Sequence, residues 1–69
     1  MPNAIERAVD AAGGQSALAR ALGVTPQAVQ RWCATGVVPP IRVIDVERLT
    51  GISRHALRPD LYPSESTTH

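Results

Sequence analysis

The chain contains no lysine and no phenylalanine, and only one each of cysteine, methionine, tryptophan and tyrosine among its 69 residues. A lone Cys33 cannot close a disulfide within the chain, so a reducing compartment is expected. Near the N-terminus no basic cluster precedes a long apolar run, and a secretion signal is not expected. The longest apolar stretches are a few residues, far below the ~20 needed to span a bilayer. The expected location is therefore the cytoplasm of a bacterial host. Acids are missing from the middle of the chain: all six (Glu6, Asp10, Asp45, Glu47, Asp60, Glu65) lie toward the ends. Residues 11 to 44 thus carry Arg20, Arg31 and Arg42 with no carboxylate among them. The net charge of +1 is too small to imply a nucleic-acid partner, but its placement is informative. Without lysine, every basic side chain is a guanidinium fork able to grip a phosphate or a guanine edge with two bonds. Compositional bias is the plainer source of the same preference.

The apolar content is modest as well. Thirty residues are hydrophobic, but ten are alanine, which leaves twenty larger groups to build a core. A chain this short buries roughly 60% of the surface it exposes when unfolded, enough for one small domain of marginal stability. Residues 1 to 62 are expected to form that domain. The tail from 63 to 69 has nothing to bury and is expected to be disordered.

Periodicity points to helices. Asn3 is a suitable N-cap, and Ile5, Ala8, Val9 and Ala12 follow helical spacing until Gly13-Gly14. A second helix is expected over Gln15 to Leu22, with Leu18, Ala19 and Leu22 inward and Gly23 at its end. Thr25-Pro26 reads as a cap followed by proline at the first helical position. In the helix that follows, Val29, Trp32 and Cys33 share one side, while Gln27, Gln30, Arg31 and Ala34 share the other. Gly36 stops it, and Pro39-Pro40 delays the next helix until Pro40 opens one running to Thr50. That helix has Val43, Val46, Leu49 and Thr50 on one side and Ile41 and Ile44 on the other. Ile41 and Ile44 either pack under a loop or form a dimer surface. After Gly51, Ser53 can cap a last turn from Arg54 to Leu57, with His55 on its surface. The expected fold class is all-α: a compact five-helix bundle of the lambda-repressor-like type.

Gln15-Ser-Ala-Leu-Ala-Arg-Ala-Leu-Gly-Val-Thr-Pro-Gln-Ala-Val-Gln-Arg-Trp32 has the pattern of a helix-turn-helix, formed by the second and third helices. Ala19 is small where the helices cross, Gly23 permits the turn, and Leu18, Val24, Val29 and Trp32 fill the wedge between them. A third helix lying in the major groove must present side chains matched to base edges. Gln27, Gln30 and Arg31 qualify, since Gln pairs with adenine N6/N7 and Arg with guanine O6/N7. Phosphate contacts are expected from Gln15, Ser16, Thr25 and Arg42, which flank that helix. Arg20 either adds weakly to these or stays exposed and unbonded.

These segments, with the Gly36 to Pro40 turn and Thr50-Gly-Ile-Ser-Arg-His-Ala-Leu-Arg-Pro-Asp-Leu-Tyr-Pro63, resemble the Cro-like helix-turn-helix repressors, and within them the YdaS group. The resemblance covers nearly the whole ordered chain. It implies a small transcriptional regulator of phage or prophage origin that binds double-stranded operator DNA as a homodimer, with Gln27, Gln30 and Arg31 at the base-reading positions. Members of the YdaS group are also labelled antitoxins, so the first rival is a module that holds a protein partner. In that case the Gln27, Gln30 and Arg31 face is dispensable. Trp32 with the residues up to Arg42 also resembles winged regulators of the MerR or excisionase kind. Those need a strand-rich wing, and Ile41 to Thr50 reads as helix. Catalysis is not expected, because no paired acids, nucleophile with histidine, or metal-ligand spacing appears. Cys33, His55 and His69 lack zinc spacing, Cys33 is expected to be a core thiol, and no cofactor is implied.

Overall fold

Five helices form because each apolar stripe is bracketed by its own start and stop signals. A computed structural model describes residues 3–63. α1 (Ala4–Ala12), α2 (Gln15–Leu22), α3 (Pro26–Thr35), α4 (Pro40–Thr50) and α5 (Arg54–Leu57) follow in order, and among the described residues there is no strand. The chain is all-α, as expected, and α4 stands where a winged regulator would need strands. The expected disorder of the tail falls, from residue 64 onward, outside the described residues.

Asn3 opens α1 with a reciprocal capping box: its Oδ1 accepts from the Glu6 backbone N–H, and Glu6 Oε1 accepts from the Asn3 N–H, both at 2.9 Å. Every helix stripe feeds one core. Ile5, Ala8 and Val9 of α1 meet Leu18, Ala19 and Leu22 of α2, Val29 and Trp32 of α3, Val43 and Val46 of α4, and Leu57 of α5. Ala19 is almost wholly buried where α2 and α3 form the most extensive helix pair, the close crossing its small size predicts. Among the described residues, no helix is long and apolar enough to cross a membrane.

Four positions depart from expectation. Leu49, expected to face inward, is 50% exposed. On a wheel of 100° per residue it lies about 90° from the Val43 and Val46 direction, which is the side α4 turns toward α1 and α2. Val38, which lies outside every expected helix, is fully buried in the core. The two prolines that follow hold the strap extended, and Arg58 Nη1 donates to the Val38 carbonyl at 2.7 Å, pinning it from the other end of the chain. Cys33 is half-buried at the core's edge instead of inside it. Burial and the Glu6 carboxylate push its thiol pKa up, while the neighbouring Gln15 side chain pulls the other way. His55 is not free on the surface: its Nδ1 lies 2.9 Å from the Tyr62 carbonyl. A carbonyl only accepts, so Nδ1 carries the proton.

Candidate nucleic-acid interface

α3 is held from both ends and from behind. Thr25 Oγ1 accepts from the Ala28 N–H at 3.2 Å, and Pro26 occupies the first turn, where no N–H is needed. At the far end Gly36 takes a left-handed φ of 75° and donates its N–H to the Trp32 carbonyl at 2.7 Å. Asn3 Nδ2 donates to the Cys33 carbonyl at 3.3 Å, so the residue that caps α1 also ties it to the last turn of α3. Trp32 is a core anchor at 7% exposure, not a platform for stacking bases. With Val29 it fixes the roll of the helix about its own axis.

That roll turns Gln27, Gln30, Arg31 and Ala34 to solvent together. Among the described residues, Gln27, Gln30 and Arg31 make no side-chain hydrogen bond or ion pair within the chain, whereas Arg54 and Arg58 each pair with a carboxylate. Their donors and acceptors are therefore free to bind something else. Ala34 lies at the centre of this face. It was given no role by sequence alone, but a methyl flanked by Gln27, Gln30 and Arg31 fits the apolar contact that a thymine methyl offers. Its small size is the signal, since a larger residue there would hold the helix away from a groove floor.

The expected phosphate groups are placed less uniformly. Gln15 and Ser16 are exposed at the start of α2, whose N-cap Gly14 offers no side chain, so the first N–H groups of that helix lack a side-chain cap. Thr25 uses its hydroxyl oxygen as a cap acceptor and keeps its hydrogen to donate. Arg42 is half-buried, and its Nη1 donates to the Leu22 carbonyl at 3.4 Å, so it fastens α4 to the end of α2. Arg20 is exposed on the outer side of α2. Ile41 is 79% exposed in the first turn of α4, and Ile44 is half-buried, so a cover by an intramolecular loop does not account for Ile41. No acid occurs from residue 11 to 44 to offset these groups. The carboxylates of the C-terminal half are partly tied up: Arg54 lies 2.7 Å from Glu47, whose pKa its hydrogen bond lowers, and Arg58 grips Asp60 with two nitrogens. Among the described residues, no three of His, Cys, Asp and Glu gather as a metal-binding group.

The solved structure of the Cro protein from prophage element Xfaso 1 of Xylella fastidiosa strain Ann-1 matches with a TM-score of 0.86 at 44% sequence identity. The match covers 90% of this chain and 98% of that one. No curated protein matches. The family model described as bacterial toxin YdaS matches residues 5–66, a toxin description where an antitoxin was the expected rival. With a match that runs from the first turn of α1 past the end of α5, on the frame of a prophage Cro protein, the chain belongs to the YdaS family.

Proposed function

We propose that the protein is a sequence-specific, double-stranded DNA-binding transcriptional regulator, a Cro-like repressor whose α3 reads operator half-sites in the major groove. One observation carries the reading: α3 buries Val29 and Trp32 while presenting Gln27, Gln30 and Arg31 without intramolecular partners, on a helix-turn-helix frame free of nearby acids in sequence. Likeness to a Cro protein supports it. Arg31 recognises guanine and the two glutamines recognise adenine, each bidentate contact discriminating by about 1–3 kcal/mol. Gln15, Ser16 and Thr25 bind phosphate around the helix. Arg42 joins them with the guanidinium nitrogens that Leu22 leaves unused. Three base contacts define a half-site without high affinity, so two copies act together on the operator, with Ile41 and Ile44 toward the partner. The work is binding, not catalysis, and takes place in the host cytoplasm, on the nucleoid when DNA is engaged.

The toxin description of the family keeps a second reading in play, an antitoxin-type protein-interaction module that holds a partner protein. Selection from a randomised duplex pool at moderate salt, followed by salt titration of the winner, separates the two. A two-fold symmetric site with half-sites about 10 base pairs apart is expected. Failure to enrich any sequence, with binding lost by ~0.2 M salt, would leave only phosphate attraction and overturn the repressor reading.

A further inference from the structure

α4 carries a second, unpartnered face. With Val43 and Val46 taken as the inward direction, Ile41, Ile44, Asp45 and Arg48 all fall within about 50° of the outward one, and Leu49 flanks them. Ile41 and Leu49 are 79% and 50% exposed, the two most exposed large hydrophobic residues described. Asp45 and Arg48 sit between these apolar ends, three positions apart. Neither has an ion-pair partner among the described residues; the two pairs present there are Arg54 with Glu47 and Arg58 with Asp60.

This order, apolar then acid then base then apolar, complements itself under one symmetry. Laid antiparallel about a two-fold axis at the level of residues 46 and 47, two copies of α4 bring Asp45 opposite the partner's Arg48, and the reverse, with Ile44 along one flank of the contact and Leu49 along the other. Parallel pairing would stack Asp45 on the partner's Asp45 and Arg48 on the partner's Arg48, which is repulsive. The charges therefore select the antiparallel arrangement.

We infer that the outward face of α4 docks a second copy of this chain, antiparallel, through reciprocal Asp45 to Arg48 ion pairs flanked by Ile41, Ile44 and Leu49. The inference rests on the repressor reading only for the reason that two copies are needed. A pair of 11-residue helices makes a small interface, at the low end below about 1,200 Å², so the free dimer is weak and DNA completes it.

Sedimentation equilibrium of the full chain, from micromolar to millimolar and at low and high salt, tests this with Asp45→Arg, Arg48→Asp and the doubly exchanged chain. The expected result is a reversible wild-type dimer, weakened by salt, that each single change loosens about tenfold or more and the double exchange restores. Helical circular dichroism at low concentration confirms that each variant folds. A wild-type chain that stays monomeric at millimolar concentration, single changes without effect, or a double exchange that fails to restore association would each overturn the interface. Selection with the same proteins keeps the two readings apart. If association and its rescue hold but no duplex is enriched, the repressor reading falls and the interface stands. If an operator is enriched and neither single change alters self-association, the interface falls and the repressor reading stands.

Discussion

Between Asn3 and Thr35 each helix is bounded by residues next to it in sequence: a capping box at Asn3, glycines after α1 and α2, and Thr25-Pro26 before α3. From Gly36 to Pro63 the local signals (Pro40, the left-handed Gly51 and the Ser53 cap) are joined by more supports from a distance. α4 starts after Pro39 without a side-chain cap, and α5 is a single turn of four residues. Side chains reaching across the chain hold this half: Arg58 to the Val38 carbonyl, Arg54 to Glu47, and Arg42 to the Leu22 carbonyl. Tyr62 is clasped as well, with the Arg54 guanidinium 5.7 Å from its ring centroid and His55 on its carbonyl. Arginine shows the contrast most directly. Arg20 and Arg31 of the first half stay exposed, while Arg42, Arg54 and Arg58 of the second are engaged in the fold. A surface whose helices are set by local signals can leave its polar groups for a partner. One assembled by long-range bonds uses more of them: among the described charged residues of α4, only Asp45 and Arg48 are left without a side-chain hydrogen bond or ion pair.

The largest test asks whether the halves are energetically separate. Leu18 of α2 and Leu57 of α5 belong to the same core, at 0% and 2% exposure. Each change to alanine is expected to cost about 2–5 kcal/mol and to melt the chain in one transition, followed by thermal denaturation. Two transitions, or a Leu57→Ala chain in which α1 to α3 melt unchanged, would break the comparison in favour of independent units.

Next comes the division of arginine roles. Arg31→Ala is expected to relax base preference at one operator position by about 1–3 kcal/mol and to leave Tm unchanged. Arg42→Ala should weaken binding to all duplexes about equally and also lower Tm, because the Leu22 carbonyl loses its donor. Competition binding on single-base operator variants, with melting curves for both proteins, reads the difference. Equal Tm values for the two variants would remove Arg42 from the structural set.

A smaller effect separates two helix ends of the same shape. Gly36 and Gly51 have φ of 75° and 79°, and a side chain in that region costs about 1–2 kcal/mol. At Gly51 the space is open, whereas a Cβ at Gly36 would stand 3.3 Å from Asn3 Nδ2. Gly36→Ala is therefore expected to lower Tm more than Gly51→Ala, since it also strains the tie between α1 and α3. Chemical denaturation of the two variants orders them, and a reversed order would show that the Asn3 tie carries little.

The smallest concerns the terminal clasp. The two hydrogen bonds that Arg58 donates lower the Asp60 pKa from 3.8 to about 2. A carboxylate whose folded pKa is depressed stabilises the fold above its unfolded value and loses that contribution as pH falls through the folded one. The clasp should thus open between pH 3.8 and about 2, shifting Tm slightly. Asp60→Asn should flatten that part of the Tm profile. A profile identical to wild type would place the acid sensitivity elsewhere.

Much of the molecule is legible in its sequence. The five helix spans follow from caps, glycines, prolines and apolar spacing, which act within a few residues of one another. Position on the outward side of α3 was readable in the same way for Gln27, Gln30 and Arg31, because Val29 and Trp32 set the opposite side. α4 resisted, because its apolar residues run around the helix and spacing alone did not say which would be covered. Leu49 was misplaced for that reason.

What the sequence by itself determined, then, is the order and extent of the helices and the polar character of α3's outer face, since these depend on local backbone preferences and helical periodicity. Only the tertiary structure decided the inward turn of Val38, the second bond of Asn3, the capture of Arg42 and Arg58, and the exposure of Ile41 and Leu49. Each depends on groups distant in sequence: 30 positions separate Asn3 from Cys33, and 20 separate Arg58 from Val38. No local pattern encodes which of several equivalent arginines or valines will meet such a partner, because that choice is made when the helices pack.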